Sequence, residues 1–269
     1  MSVIDAVRAP RLTPGSSPHT PFSEAVFEAL GTVLDPELDE PITTLGFVRS
    51  VMIHERGVTV HLRLPTAFCS PNFAYLMVSD AHDALQAVPG IGELRVILDD
   101  HHDSDKINAG VAAGVGYVGT FGSEAEESLT ELRATFQRKA HLAAMERCCR
   151  MMLKRRTWTV EELPDLELLD LPEGPKKTAL LRRREALGLS NDPHARVLVD
   201  DEGNPVAESD AALRLRFARA TRISMEGNSH FCRGLLATRY DDAPADGLQL
   251  GCAGRTSLPI VDLESRSAS

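Results

Sequence analysis

The sharpest chemical group in this chain is Cys69, set in Pro65-Thr66-Ala67-Phe68-Cys69-Ser70-Pro71. Serine at an N-cap and proline at the first helical position are favoured start signals, so a helix is expected from Ser70-Pro71 to about Val88. Cys69 then stands where a strand hands over to a helix N-terminus. Negative charge is favoured there, which suits a metal-ligating or nucleophilic sulfur. The competing reading is a small apolar residue filling a strand end. Asp35 and Glu37, in Leu34-Asp35-Pro36-Glu37-Leu38, are the acidic candidates. Proline disfavours the α region for the residue before it, so a turn is expected, with Asp35 bracing it and Glu37 more exposed.

A second group lies at Asp99-Asp100-His101-His102-Asp103-Ser104-Asp105. His101, His102, Asp103 and Asp105 could bind a divalent cation, since imidazole and carboxylate are common ligands. The alternative is a solvated acidic loop. Cys148 and Cys149 are adjacent, a poor geometry for an intrahelical disulfide, and read as core and edge thiols. His230 and Cys232 stand two apart, too little for a zinc site alone.

These residues need elements to hold them. Phe22, Val26, Phe27, Leu30 and Val33 have helical spacing, with Ser23 as cap. Val58, Val60, Leu62 and Leu64 alternate with polar residues, and with Val48 to Ile53 they read as a β-hairpin across Glu55-Arg56-Gly57. After the Cys69 helix, Val88-Pro89-Gly90 is a stop and Leu94 to Leu98 a third strand. The order α-β-β-α-β predicts a small α+β domain, residues 22–105, its sheet covered by helices on one face. Residues 1–21 read as a disordered tail.

The remainder, 106–240, reads as a mainly helical extension, with an irregular tail over 241–269. Gly110, Gly114, Gly116 and Gly119 lack the context of a dinucleotide or phosphate loop and suggest tight packing or a linker. Ser123 to Arg156 is expected to be one helix capped by Ser123. Leu163 to Pro175 reads as an acidic linker, Lys176 to Leu187 as a short helix, and residues 195–206 as a small hairpin. Two further helices are expected, Leu213 to Met225 and Phe231 to Tyr240.

The pattern Asp-Pro-Glu-Leu, Leu45-Gly46-Phe47-Val48, a hairpin, Thr66-x-x-Cys69, a helix and Val88-Pro89-Gly90-Ile91 before a last strand resembles the iron–sulfur cluster assembly domain of SufT-like and PaaD-like maturation proteins. The similarity covers about residues 22–100. It implies a non-enzymatic maturation factor in which Cys69, with Asp35 and Glu37, handles metal or cluster. It also implies a client metalloenzyme as protein partner, with a di-iron monooxygenase suggested by analogy. A transient iron or iron–sulfur cluster is the implied cofactor. Relatives carry Cys-Pro, whereas here Ser70 intervenes, which moves proline one step into the helix. Two other classes stand beside this one: a binding module that kept the fold and lost the metal chemistry, and a thiol enzyme pairing Cys69 with His61, His101 or His102.

Composition narrows the field. Of 269 residues 43% are hydrophobic and 25% charged, ordinary for a globular protein. Five cysteines do not suggest a disulfide framework, and a reducing cytoplasm is expected. No apolar run is long enough to span a membrane, and no signal-peptide pattern is seen. Residues 22–105 hold fourteen carboxylates against four arginines, which accounts for the whole net charge of −10. That balance argues against nucleic acid. The extension clusters its basic residues at 154–156, 182–184 and 214–222. Part of that surface is therefore expected to dock on the acidic domain, with Leu129, Leu132, Phe136, Leu213, Leu215 and Phe217 supplying apolar contact. The extension is expected to recognise the client.

Overall fold

The computed structural model describes residues 21–125 and 129–241. The expected tails lie outside these apart from their innermost residues. The first unit begins with α1 (Pro21–Thr32), then β1 (Val48–His54), β2 (Gly57–Leu62), α2 (Pro71–Gln86) and β3 (Glu93–Leu98). β1 and β2 pair antiparallel, and β3 lies parallel on the other side of β2. The fold class is α+β, as the sequence pattern predicts.

The sheet has one apolar face. Val51, Val60 and Val96 are register partners across the three strands, and all are buried. Val48 is also buried although it is three residues from Val51, which strict alternation forbids. A bulge between Val48 and Ser50 supplies the extra residue and restores the phase. Gly57 opens β2 because a Cβ there would lie 2.0 Å from the Glu93 carbonyl oxygen.

The first core does not stop at residue 105. Two helices, α3 (Ser104–Ala113) and α4 (Gly116–Phe121), add Ile107, Val111, Tyr117 and Phe121 to it. Gly110 lets them meet, since a Cβ on it would overlap the Thr120 side chain. The glycine-rich segment is therefore a packing device.

The second unit is built on α5 (Leu129–Lys154), α6 (Pro175–Ala186) and α7 (Glu208–Arg239). Ser123 does not cap α5; it sits in a separate 3₁₀ turn, Gly122–Glu124. Ser23 likewise lies inside α1, and Ser70 occupies the N-cap of α2 without a side-chain cap bond. At α2 the proline has no N–H to satisfy, and the Ala74 N–H to Ser70 carbonyl bond (3.0 Å) closes the turn.

The expected linker is core. Leu163, Leu166, Leu168 and Leu171 are all buried in the second cluster, with Cys148, Cys149, Leu180 and Val197 to Val199. Its backbone is satisfied by two 3₁₀ turns and by Leu168 N–H to the Ala195 carbonyl (3.0 Å) and Val197 N–H to the Leu166 carbonyl (2.9 Å). The expected 195–206 hairpin reduces to isolated bridges, Glu167 with Arg196 and Val199 with Pro205. The two expected C-terminal helices are one, α7, running through Gly227. Glycine costs a helix about 1 kcal/mol. Anchors on both sides offset it: Ala211 and Ala218 in the second core, Leu236 in the first.

The units meet through opposite charges, but of the expected basic clusters only 182–184 reaches the acidic domain; Arg214 pairs with Asp201 and Arg222 with Glu146 inside the extension. Arg133 makes a bidentate pair with Asp80 (2.8 Å for both bonds), Arg183 binds Asp39, and Arg233 binds Glu40. Phe136 meets Phe73 edge to face, ring centroids 5.0 Å apart. Leu129 packs on the first core and Leu215 on the second. Leu213 and Phe217 do not join the contact and face solvent, because α7 turns its Ala211–Ala218 face inward instead.

Candidate metal-handling site

The loop between α1 and β1 is locked by Asp35. Its carboxylate accepts from the backbone N–H groups of Glu37 (2.9 Å) and Leu38 (2.8 Å). Its own N–H donates to the Glu40 carbonyl (2.9 Å), and its carbonyl accepts from Asp39 (2.8 Å). Burial raises its pKa to about 6, against those two backbone bonds and helped by the charges of Glu37 and Glu40. Glu37 is half-buried and accepts from Asn228 of α7 (3.1 Å).

Cys69 stands one residue before the N-cap of α2, half-buried, with its sulfur 3.5 Å from the Thr66 hydroxyl. His101 is buried and holds the Cys69 backbone, not its sulfur. The Asp103 N–H donates to Nδ1 (3.1 Å), which leaves the proton on Nε2, and Nε2 donates to the Cys69 carbonyl (2.9 Å). Both ring nitrogens are thus occupied. The 101–103 segment buttresses the cysteine loop, a link strengthened by His102 N–H to the Ala67 carbonyl (2.9 Å). His102 tilts against Phe68, which is 80% exposed, and Asp105 lies in the first turn of α3. His61 is bound at Nδ1 to Asp99 (3.0 Å) on the open side of the sheet.

One residue that reading the sequence did not bring to this place is Cys232. It packs on the same core as Cys69, and its thiol is pushed up to about 11 by burial and by the negative charge of Asp35, Cys69 and Glu37. Sequence offered one signal: Cys232 shares a helix face with Ser229, Arg233 and Leu236. In kind, these thiols and carboxylates suit iron. In number they fall short, for among the described residues no group of three or more His, Cys, Asp or Glu side chains is arranged to hold a metal ion. Cys148 and Cys149, fully buried, are held well above the ordinary thiol range by desolvation and serve packing.

Residues 23–113 match a family model described as iron-sulfur cluster assembly protein. No curated protein and no solved structure matches the chain. The matched segment takes in the Asp35 loop, the hairpin, Cys69, α2, β3 and α3. It covers about a third of the chain and is similar to iron–sulfur cluster assembly domains. No helix among the described residues is long and apolar enough to cross a membrane.

Proposed function

We propose that the protein is a non-enzymatic maturation factor of the cytoplasm that carries iron, or a small iron–sulfur unit, as cargo at Cys69 and passes it to a client metalloenzyme. A di-iron monooxygenase is the client class that family resemblance favours. The observation that carries this is the Cys69 loop itself: a half-buried sulfur one residue before the N-cap of α2 and 3.5 Å from the Thr66 hydroxyl, with Phe68 projecting into solvent next to it. Asp35 holds the acidic loop, Glu37 is bound by Asn228 of α7, and the Asp103 to His101 to Cys69 chain fixes the backbone that carries the thiol. Cys69 acting as an enzyme nucleophile is disfavoured, because His101 has no free nitrogen to serve as its base.

Client recognition falls to the extension. Phe217, Ile223 and Phe231 of α7 are exposed, with Arg216 and Arg219 beside them. Exposed apolar groups among cations fit an acidic, amphipathic protein surface. Affinity capture on the full-length chain should retain a metalloprotein client, and Phe217→Ser with Phe231→Ser should release it. Retention by that double variant would remove α7 from recognition.

A binding module that has lost the metal chemistry is the second reading, favoured by the missing third ligand. Metal analysis of anaerobically purified protein separates the two. Iron that is present in the native protein and lost in Cys69→Ser supports the carrier.

A further inference from the structure

We propose that Arg239 and Tyr240, at the C-terminal end of α7, form a latch that positions the loop bearing Cys69 and sets how open its sulfur is. The choice of Cys69 as the working sulfur rests on the carrier reading. Both latch residues lie outside the family-matched segment, 23–113.

β2 and β3 run parallel with Leu62 and Leu98 as register partners, so the loops that leave their C-terminal ends emerge side by side. One runs through Cys69 into α2, the other through Asp99 to Asp103 into α3. They touch at two points. The His102 N–H donates to the Ala67 carbonyl (2.9 Å), and His101 Nε2 donates to the Cys69 carbonyl (2.9 Å). The Arg239 guanidinium forks across both loops from outside: one nitrogen donates to the Leu64 carbonyl (3.1 Å), the other to the Asp100 carbonyl. Tyr240 adds a further tie, its hydroxyl donating to the Asp100 carboxylate (3.3 Å). The Arg63 guanidinium lies over its ring, 4.9 Å from the centroid.

The turn so held is one that needs holding. Asp100 has a φ of 54°, in the left-handed region. Aspartate enters that region more readily than most side chains, yet at a cost that surrounding contacts must offset. Arginine suits the post, because its planar fork serves two acceptors at once and its charge strengthens each bond. Anchors behind the latch keep α7 in place: Asn228 donates to Glu37 (3.1 Å), Arg233 pairs with Glu40, and Leu236 is buried in the first core. Contact therefore runs from Arg239 through Asp100, then His101 and His102, to the carbonyls of Ala67 and Cys69. The extension takes part in the cysteine site itself, through its last turn.

Two readouts on the full-length, chelator-treated chain test this. Iodoacetamide alkylation, followed by mass spectrometry, reports how open the Cys69 sulfur is. Exchange of the His102 amide reports the contact between the loops. Arg239→Ala should raise both rates by at least about tenfold, the worth of one hydrogen bond to a charged group. Cys232, two turns earlier on α7, should change by less than about twofold. Arg239→Lys keeps the charge without the fork and should stay nearer to Arg239→Ala than to wild type. Tyr240→Phe loses only the hydroxyl tie and should give a smaller rise, about threefold. An unchanged Cys69 rate in Arg239→Ala would overturn the latch. Full protection in Arg239→Lys would overturn it too, by making the charge at the helix end the cause. Equal rises at Cys69 and Cys232 would do the same, since α7 as a whole would then have loosened. No metal enters these readouts, so the latch can fail while the carrier reading stands. Iron retained in Cys69→Ser would remove the carrier reading and leave the latch intact.

Discussion

The two units solve the same packing problem with different materials. The first keeps most charge outside: its core is Val26, Leu30, Val51, Val60, Leu62, Leu85 and similar side chains, its buried Asp35 is satisfied by backbone N–H groups, and its buried Arg63 donates to the Gly46 carbonyl (3.4 Å). The second takes charge inside. Arg184 is 2% exposed and donates to the carbonyls of Ser190 (2.8 Å) and Arg196 (3.1 Å). Arg222 binds Glu146 (2.6 Å) between α7 and α5, and His141 is buried with its Nε2 unpartnered among the described residues. Burying a charge is costly unless it is paired, so such pairs fix one arrangement more than they add stability. The first unit thus draws its stability from area, the second its register from charge.

The largest effect should follow from breaking the buried pair. Glu146→Ala leaves Arg222 with only the more exposed Glu226 and should cost about 3–5 kcal/mol, while replacing both Glu146 and Arg222 with apolar residues should restore most of it. Urea unfolding followed by the fluorescence of Trp158, which packs on the second core, would read this. If the double variant is as weak as the single, the pair contributes more than register.

Acid should then separate the units. Burial lowers His141 to about 4 from 6.5, so the unfolded chain binds the proton first. Its contribution is present above pH 6.5 and is lost as pH falls towards 4, on the order of 2–3 kcal/mol. Asp35 has the opposite sign. Its pKa rises from 3.8 to about 6, so the folded state gains between pH 6 and 3.8 and loses as pH rises through 6. Amide exchange, corrected for intrinsic rate, should rise in α6 between pH 7 and 5 and not in β2. His141→Gln should flatten the α6 response.

Smaller effects belong to the acidic loop and outer contacts of the first unit. Asp35→Ala removes a brace from two N–H groups and should cost roughly 1 kcal/mol at pH 7, while Glu37→Ala should change the melting temperature little. Equal losses in the two would show that the acidic loop is braced by charge and not by geometry. Arg133→Ala breaks a partly exposed bidentate pair between the units and should cost less than about 1 kcal/mol, with the difference shrinking in salt.

What sequence disclosed follows the same division. The hairpin, β3 and α2 were legible because one-sided burial imposes a period of two or 3.6. The Asp35 turn was legible because proline restricts its neighbour. The 163–175 segment was not, since Leu163, Leu166, Leu168 and Leu171 follow neither period and lie among prolines and carboxylates that normally mark loops. The helices expected over 213–225 and 231–240 join through Gly227-Asn228, where local propensity opposes helix and only contacts on both units override it. Cys232 stands beside His230 in the sequence, but its place on the first core depends on α7 crossing from one unit to the other, and no local spacing encodes that.

Helix α7 carries a consequence for the birth of the molecule. At 32 residues it is about 48 Å long, and it completes both cores: Ala211 and Ala218 close the second, Leu236 the first. A chain made from the N-terminus folds its early domains first where it can. Here the ribosome delivers the three strands, six helices, Cys69 and the Cys148-Cys149 pair of α5 before the piece that seals them. Until residue 236 emerges, the face meant for Leu236 and the α5 groove meant for Ala218 stand open to water. Nascent chains arrested before α7 should therefore bind a general chaperone, and chains arrested well beyond it should not.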